Sequence, residues 1–346
     1  MDKAGQLLIV VLVIKLFEIT VFSVKKNKLD QILLLIPLLG LCISLKTYFL
    51  TYLLLSFSIL LISKKFQENI NFILFSRSFL SFLLILLFTF SHHFISTGCL
   101  ISPLPYLCFE DNFNWARSIE DVKELSIWLE QWSKAGAGPN FRVKDELNYI
   151  QDFNWVPNWF ERYFLIKFLD QITILFVSII LIIIFFKKPT LSNNKILFKK
   201  KLFFFYSLLL IIFYIWFTHH PTLRYGGYSI FYLVISFPIA IIFYKFKNKD
   251  NHFKKFKFFI IFIILIVNIK NFIRINNEIE RNDIYNFKNF PFFAIHEKEY
   301  TEKKFKTGLT IYSAHHCWST PSPCGNISDE ITVYKKKGYY FIQRSK

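Results

Sequence analysis

The chain has 346 residues, a formal net charge of +18 and 53% hydrophobic residues. That is too apolar for a water-soluble domain, and the apolar residues come in blocks rather than in alternation, which predicts a multipass membrane protein. About twenty residues rising 1.5 Å each cross the hydrocarbon core, and shorter runs do so when aromatic or basic flanks reach the interface. This criterion predicts seven membrane helices, at about 6–24, 31–45, 47–63, 79–96, 164–186, 202–218 and 228–244, with an eighth at 258–273.

Orientation follows from the basic residues. The connectors 25–30, 64–78, 187–201 and 245–257 together hold 18 Lys/Arg against 3 Asp/Glu, so they are expected on the cytoplasmic side. This excess accounts for most of the net charge, so the high pI reflects topology and no nucleic-acid partner is expected. Both termini, the loop 97–163, the connector 219–227 and the tail 274–346 are then extracytoplasmic. The expected class is an all-α polytopic membrane protein with about eight membrane helices (seven to nine). It carries a large extracytoplasmic loop with an amphipathic helix and a small C-terminal extracytoplasmic α/β appendage. The organisation reads as four spans in 1–96, the loop 97–163, four spans in 164–273 and the extracytoplasmic segment 274–346.

The N-terminus lacks the basic region and cleavage site of a secretory signal, so helix 6–24 is expected to be retained. Within it Lys15 and Glu18 lie three apart on one face, as an intramembrane ion pair would. The first three helices otherwise read as scaffold. Helix 79–96 ends with His92 and His93, expected at the outer headgroups, the depth also expected of His219 and His220. Four histidines at one depth make a divalent metal an alternative. Adjacent histidines diverge on a helix and no Cys or carboxylate has ligand spacing with them, so neither metal nor cofactor is assigned.

The large loop opens with Cys99 and Cys108 around two prolines, where a disulfide would close a short loop worth roughly 2 to 3 kcal/mol. Ile119, Val122, Leu125, Trp128, Leu129 and Trp132 recur at three and four residues, one face of an amphipathic helix with Ser118 as N-cap. A second short helix is expected at about 143–153. Trp155 to Phe160 reads as an aromatic anchor returning the chain to the bilayer. The loop holds ten acidic and six basic residues, the reverse of the inner connectors. Asp121 and Asp145 are explained as helix caps, whereas Asp111 has no such duty and is the candidate catalytic base. In the tail, strand-like runs are expected at 309–312, 330–334 and 338–343; between the first two, His315, His316, Cys317 and Cys324 mark a second stapled turn, with zinc held by His and Cys as the alternative, and 326–328 is a glycosylation sequon where the source glycosylates such sites.

The connector from Thr218 to Tyr228 concentrates His219, His220 and the only arginine between Arg162 and Arg274. A guanidinium binds phosphate through two parallel hydrogen bonds, so Arg224 is the candidate phosphate ligand, with His219, His220, Tyr225, His92 and His93 as substrate-binding candidates. An ion pair to the acidic loop is the competing role for Arg224.

Gly98-Cys99-Leu100-Ile101-Ser102-Pro103, Trp155-Val156-Pro157-Asn158-Trp159, Pro221-Thr222-Leu223-Arg224-Tyr225-Gly226 and Cys317-Trp318-Ser319-Thr320-Pro321-Ser322-Pro323-Cys324 together resemble a family of uncharacterised bacterial multipass envelope proteins. That family in turn resembles the C-type membrane glycosyltransferases. The resemblance implies residence in the bacterial inner membrane and transfer of a sugar from a polyprenyl-phosphate donor, with lipid-linked sugar or glycan and the bilayer as partners. In C-type enzymes the catalytic carboxylate lies in the first outer loop, straight after the first helix. Here the large loop follows four helices and contains no Asp-x-Asp. An O-antigen-type polymerase or ligase, and a non-catalytic assembly or transport protein, are the alternative classes.

Overall fold

The computed structural model describes residues 2–22, 28–61, 66–113, 115–136, 143–169, most of 172–180, 196–244, 252–281, 300–313, 317, 320–325 and 331–344. Helices dominate. α1 (Asp2–Phe17) runs into a π-helical turn (Glu18–Phe22), and α2 (Lys28–Leu45) is followed by a 3-10 segment (Thr47–Leu61). Next come α3 (Phe66–Leu74), α4 (Arg77–Thr97), α5 (Ile119–Lys134), α6 (Glu146–Ile150) and α7 (Val156–Trp159), which continues as a π-helix (Phe160–Phe168). α8 (Ile196–His219), α9 (Gly227–Tyr244) and α10 (His252–Arg281) complete the helical part.

Among the described residues four stretches are long and apolar enough to cross a membrane: Lys3–Val21, Arg77–Thr97, Lys200–His219 and Lys257–Asn277. Leu29–Leu45, Thr47–Ser58 and Gly227–Pro238 are shorter apolar helices. The expected helix at 164–186 lies largely outside the described residues beyond position 180. The 3-10 form explains how a short segment gains reach. At roughly 2.0 Å per residue the 15 residues of Thr47–Leu61 extend about 30 Å, where an α-helix would extend about 22 Å. Its three-residue turn also stacks Phe49, Tyr52, Leu55 and Ser58 in a single fully buried row, packed against α2 and α8.

The chain splits into two compact units, Met1–Phe259 and Ile260–Lys346. In the first, α1 is the central helix. Ile9, Leu12, Val13 and Leu16 form its buried stripe against α2 and α9. Phe17 meets Phe205 of α8 and Phe237 of α9 edge-on, with ring centroids 5.2 and 4.4 Å apart. α4 packs on α2 yet leaves most of its surface exposed, the pattern of a lipid-facing span. Lys15 and Glu18 form the expected ion pair at 2.8 Å.

The loop after α4 is tied down locally. Gly98 caps α4 in the left-handed conformation, the Cys99–Cys108 disulfide closes the turn, and Phe94 gathers Phe109, Phe113 and Trp115 around its ring. Ser118 Oγ accepts from the Asp121 amide as the N-cap of α5, and the Glu110 carboxylate accepts from the Ile119 amide. Trp155 and Trp159, within the stretch read as an aromatic anchor returning the chain to the bilayer, pack inside the protein. Both are buried, and both rings touch Phe217 of α8.

The second unit contains two antiparallel hairpins, β1 (Thr301–Lys304) with β2 (Thr310–Ser313) and β3 (Ile331–Lys336) with β4 (Tyr339–Arg344). β1 has no counterpart among the expected strands. The Cys317–Cys324 disulfide lies beside β2, where the Tyr312 amide donates to the Pro323 carbonyl. His315, His316 and the sequon at 326–328 lie outside the described residues.

Candidate functional site at the connector between α8 and α9

The connector 220–226 pairs only part of its backbone locally, the Thr222 amide donating to the His220 carbonyl and the Tyr225 amide to that of Thr222, so other carbonyls and amides need partners from elsewhere. Side chains remote in sequence provide them. Gln6 Nε2 donates to the carbonyls of Leu223 (3.0 Å) and Arg224 (3.3 Å), and Gln6 Oε1 accepts from the Ser229 amide (3.1 Å). Lys46 Nζ donates to the Arg224 carbonyl at 2.7 Å and lies 4.4 Å from the centre of the Tyr225 ring. Trp159 Nε1 donates to the Pro221 carbonyl (2.7 Å) and Trp216 Nε1 to that of Thr222 (3.1 Å), while the Leu223 amide donates to Tyr163 Oη (2.8 Å). Five side chains from four parts of the sequence thus clamp one turn. Gly226 is left-handed at φ +87°, and a Cβ on Gly227 would meet the Thr222 carbonyl oxygen and the Trp216 ring at 2.6 Å each.

The C-terminal end of α5 closes on the same turn. Trp132 stands edge-on to Tyr225 with centroids 6.0 Å apart, and His220 lies 5.3 Å from Tyr225. Lys134 is buried. Its Nζ donates to Glu130 Oε1 (2.6 Å) and to the Ile150 carbonyl (2.8 Å), and lies 5.4 Å from the Trp155 ring centre. A buried ammonium persists only with such partners. His220 is half-buried, and among the described residues its Nδ1, like Thr222 Oγ1, is buried with no hydrogen-bond partner. Burial lowers the imidazole pKa to about 4; Glu130 opposes the shift, while His219, Lys134 and Lys46 add to it.

This has a measurable consequence. With the folded pKa below the unfolded value near 6.5, the unfolded chain takes up the proton first as pH falls. The His220 contribution is therefore complete above about pH 6.5 and is lost between there and pH 4. The loss is on the order of 3 kcal/mol at most. Melting of the detergent-solubilised protein across that window is expected to decline more steeply for wild type than for His220→Gln.

Of the residues singled out by sequence, His219, His220, Arg224 and Tyr225 share this end of the bundle, with Arg224 and His219 exposed and Tyr225 and His220 half-buried. His92 and His93 sit on the last turn of α4, with rings 6.2 Å apart, and among the described residues no hydrogen bond, ring contact or ion pair joins them to the connector. Asp111 is exposed on a single 3-10 turn, Glu110–Asn112. Among the described residues no group of three or more His, Cys, Asp or Glu side chains is placed to hold a metal ion. Gln6, Lys46, Glu130, Lys134 and Tyr163 were not singled out as site residues. Lys46 alone carried a signal, as the single polar residue dividing two apolar runs.

Fold and site together define a helical protein of membrane type whose bundle ends in a polar turn locked by distant side chains. Residues 5–232 match the family model described as domain of unknown function (DUF8201), and the chain belongs to that family. The matched span takes in every connector contact described above, from Gln6 to Ser229, and leaves out α10 and both hairpins. No curated protein and no solved structure matches the chain.

Proposed function

We propose that the protein is a glycosyltransferase-like enzyme of the bacterial inner membrane. It transfers a sugar from a polyprenyl-phosphate donor to a cell-envelope polysaccharide or glycolipid at the outer face, and Arg224 receives the donor phosphate. The observation that carries this reading is the gathering of Lys46, Lys134 and Glu130 around His220, in the connector that also bears Arg224. Such a surplus of positive charge at the end of an apolar bundle suits a lipid-borne phosphate, and a guanidinium suits its planar geometry.

Eight alternating spans with an extracytoplasmic connector are part of the proposal. Supporting it, Gln6, Lys46, Trp159 and the connector meet at one end of the bundle, whereas Lys201 Nζ lies 3.5 Å from the Thr20 carbonyl, two sites that alternation assigns to the cytoplasmic end. Arg224→Ala, expressed to wild-type abundance, is expected to cut surface glycan formation about 100-fold and to raise the pool of lipid-linked sugar. Arg224→Lys restores little, because an ammonium lacks the paired donors. Unchanged glycan profiles and lipid-linked pools in Arg224→Ala cells would overturn the reading.

A further inference from the structure

Resting on that reading, we propose that the cleft between α5 and the start of α6 is the acceptor site, binding an uncharged sugar chain stacked on Trp128. The cleft encloses about 650 Å³, within the roughly 300 to 1,000 Å³ of small-molecule sites. Asp121, Glu124, Leu125 and Trp128 line one wall, at the three- and four-residue spacing that sets them on one face of α5. Lys144, Asp145 and Glu146 line the other, where α6 begins. Both walls are fixed by hydrogen bonds. Ser118 Oγ accepts from the Asp121 amide (3.1 Å), Asp145 Oδ1 accepts from the Asn148 amide (3.0 Å), and Lys134 of α5 donates to the Ile150 carbonyl at the end of α6 (2.8 Å).

The lining selects the ligand. Four carboxylates face one ammonium, a balance that repels phosphates and uronates. The carboxylates do not form a cation cage, since among the described residues no three acidic or other ligating side chains are placed to hold a metal ion. Spread around a cleft of this size, they suit a ligand that carries hydroxyls along its rim. Each ionised carboxylate offers about four lone-pair sites, so Asp145 retains acceptor capacity after capping α6. The face of a sugar ring carries C–H bonds, which are slightly positive and lie well on the negative face of an indole. Trp128 is half-buried in the wall, leaving part of its surface open. A basic peptide would satisfy the carboxylates and make no use of the indole, whereas a sugar chain uses both.

The cleft also lies on the way to the connector. Trp132 follows Trp128 on the same face of α5, one turn and about 6 Å along the axis. Its ring stands edge-on to Tyr225, the neighbour of Arg224 in the chain. α5 thus joins an acidic, aromatic cleft to a basic turn. The phosphate-bearing donor and the uncharged acceptor are sorted by charge, so neither occupies the other's place.

The test is calorimetric titration of the full-length chain, solubilised in a sugar-free detergent, with cellotetraose, chitotetraose, tetragalacturonate and tetralysine. A neutral oligosaccharide is expected to bind, with tetragalacturonate at least ten-fold weaker. Trp128→Ala is expected to weaken binding about ten-fold and Trp128→Phe less than three-fold. Because Trp128 also packs α5, the second variant is Glu124→Ala, whose exposed side chain can be removed with melting unchanged; a loss of about five-fold is expected. Binding of neither neutral probe, binding that both substitutions leave unchanged, or binding of tetralysine alone overturns the assignment. If that happens while Arg224→Ala cells lose surface glycan, the glycosyl-transfer reading stands without this cleft. If Arg224→Ala cells keep their glycan while Trp128-dependent sugar binding is found, that reading falls and with it the acceptor role.

Discussion

Gly227→Ala is expected to unfold the connector end of the bundle. The added Cβ would lie 2.6 Å from the Thr222 carbonyl oxygen and 2.6 Å from the Trp216 ring, and neither neighbour is a flexible side-chain end. Trp216 is almost fully buried and donates its indole N–H to that same carbonyl, so relieving the clash breaks a hydrogen bond as well. Overpacking of this kind costs roughly 3 kcal/mol, to which the broken bond adds about 1. The measurement is thermal stability of the solubilised protein by size exclusion after heating, with Gly325→Ala as control. Nothing lies within 4 Å of a Cβ at Gly325, so that variant is expected to melt like wild type. Equal stability of the two variants would show that the turn is not packed as described.

Gln6→Leu is expected to have the second-largest effect. The leucine keeps the volume of a fully buried side chain, so packing is nearly preserved. What is lost is the set of three hydrogen bonds linking α1 to the connector and to the start of α9. The Leu223 carbonyl and the Ser229 amide then lose these partners, at about 1 to 3 kcal/mol for each group left unpaired. The Arg224 carbonyl keeps Lys46 and is spared. A fall in stability of roughly 3 kcal/mol is expected, with proteolysis of the native protein first appearing at the connector. Gln6→Glu keeps the acceptor for Ser229 but loses both donors, so it is expected to fall between wild type and leucine. Stability of Gln6→Leu equal to wild type would remove α1 from the site.

Periodicity and capping rules read the local elements well where the deciding forces are local. α5 starts at Ser118 because a hydroxyl there satisfies an orphan amide, and the short helix after Asp145 starts for the same reason. The second cap of α5 was not legible, because Glu110 reaches it across a loop. The apolar stripe of α5 gave no sign of how its C-terminal end is buried, where Gln131, Ser133 and Lys134 are among the helix's most buried residues. Burial of polar side chains is decided by partners that only the folded chain brings near.

The tryptophans of the 155–159 return carry the same lesson. Amphipathic rings beside a span suit a membrane interface, but here Trp159 spends its N–H on the Pro221 carbonyl and its ring on α8. The 3-10 form of Thr47–Leu61 was equally hidden, since its apolar run fits an α-helix as well as a 3-10 helix.

Read along the chain, the residues carry the membrane-type class, most of the helix positions among the described residues and both cysteine pairs, and they point to the interval from His219 to Tyr228. Those features depend on runs of apolar residues, the balance of charge and short-range spacing, all properties of a stretch of chain. The tertiary structure alone supplies that interval's partners. It brought Gln6, Lys46, Glu130, Lys134, Trp159 and Tyr163, up to 218 residues away, onto one turn that pairs only part of its own backbone. Such convergence follows from the packing of helices distant in sequence, and no local pattern in the chain encodes it.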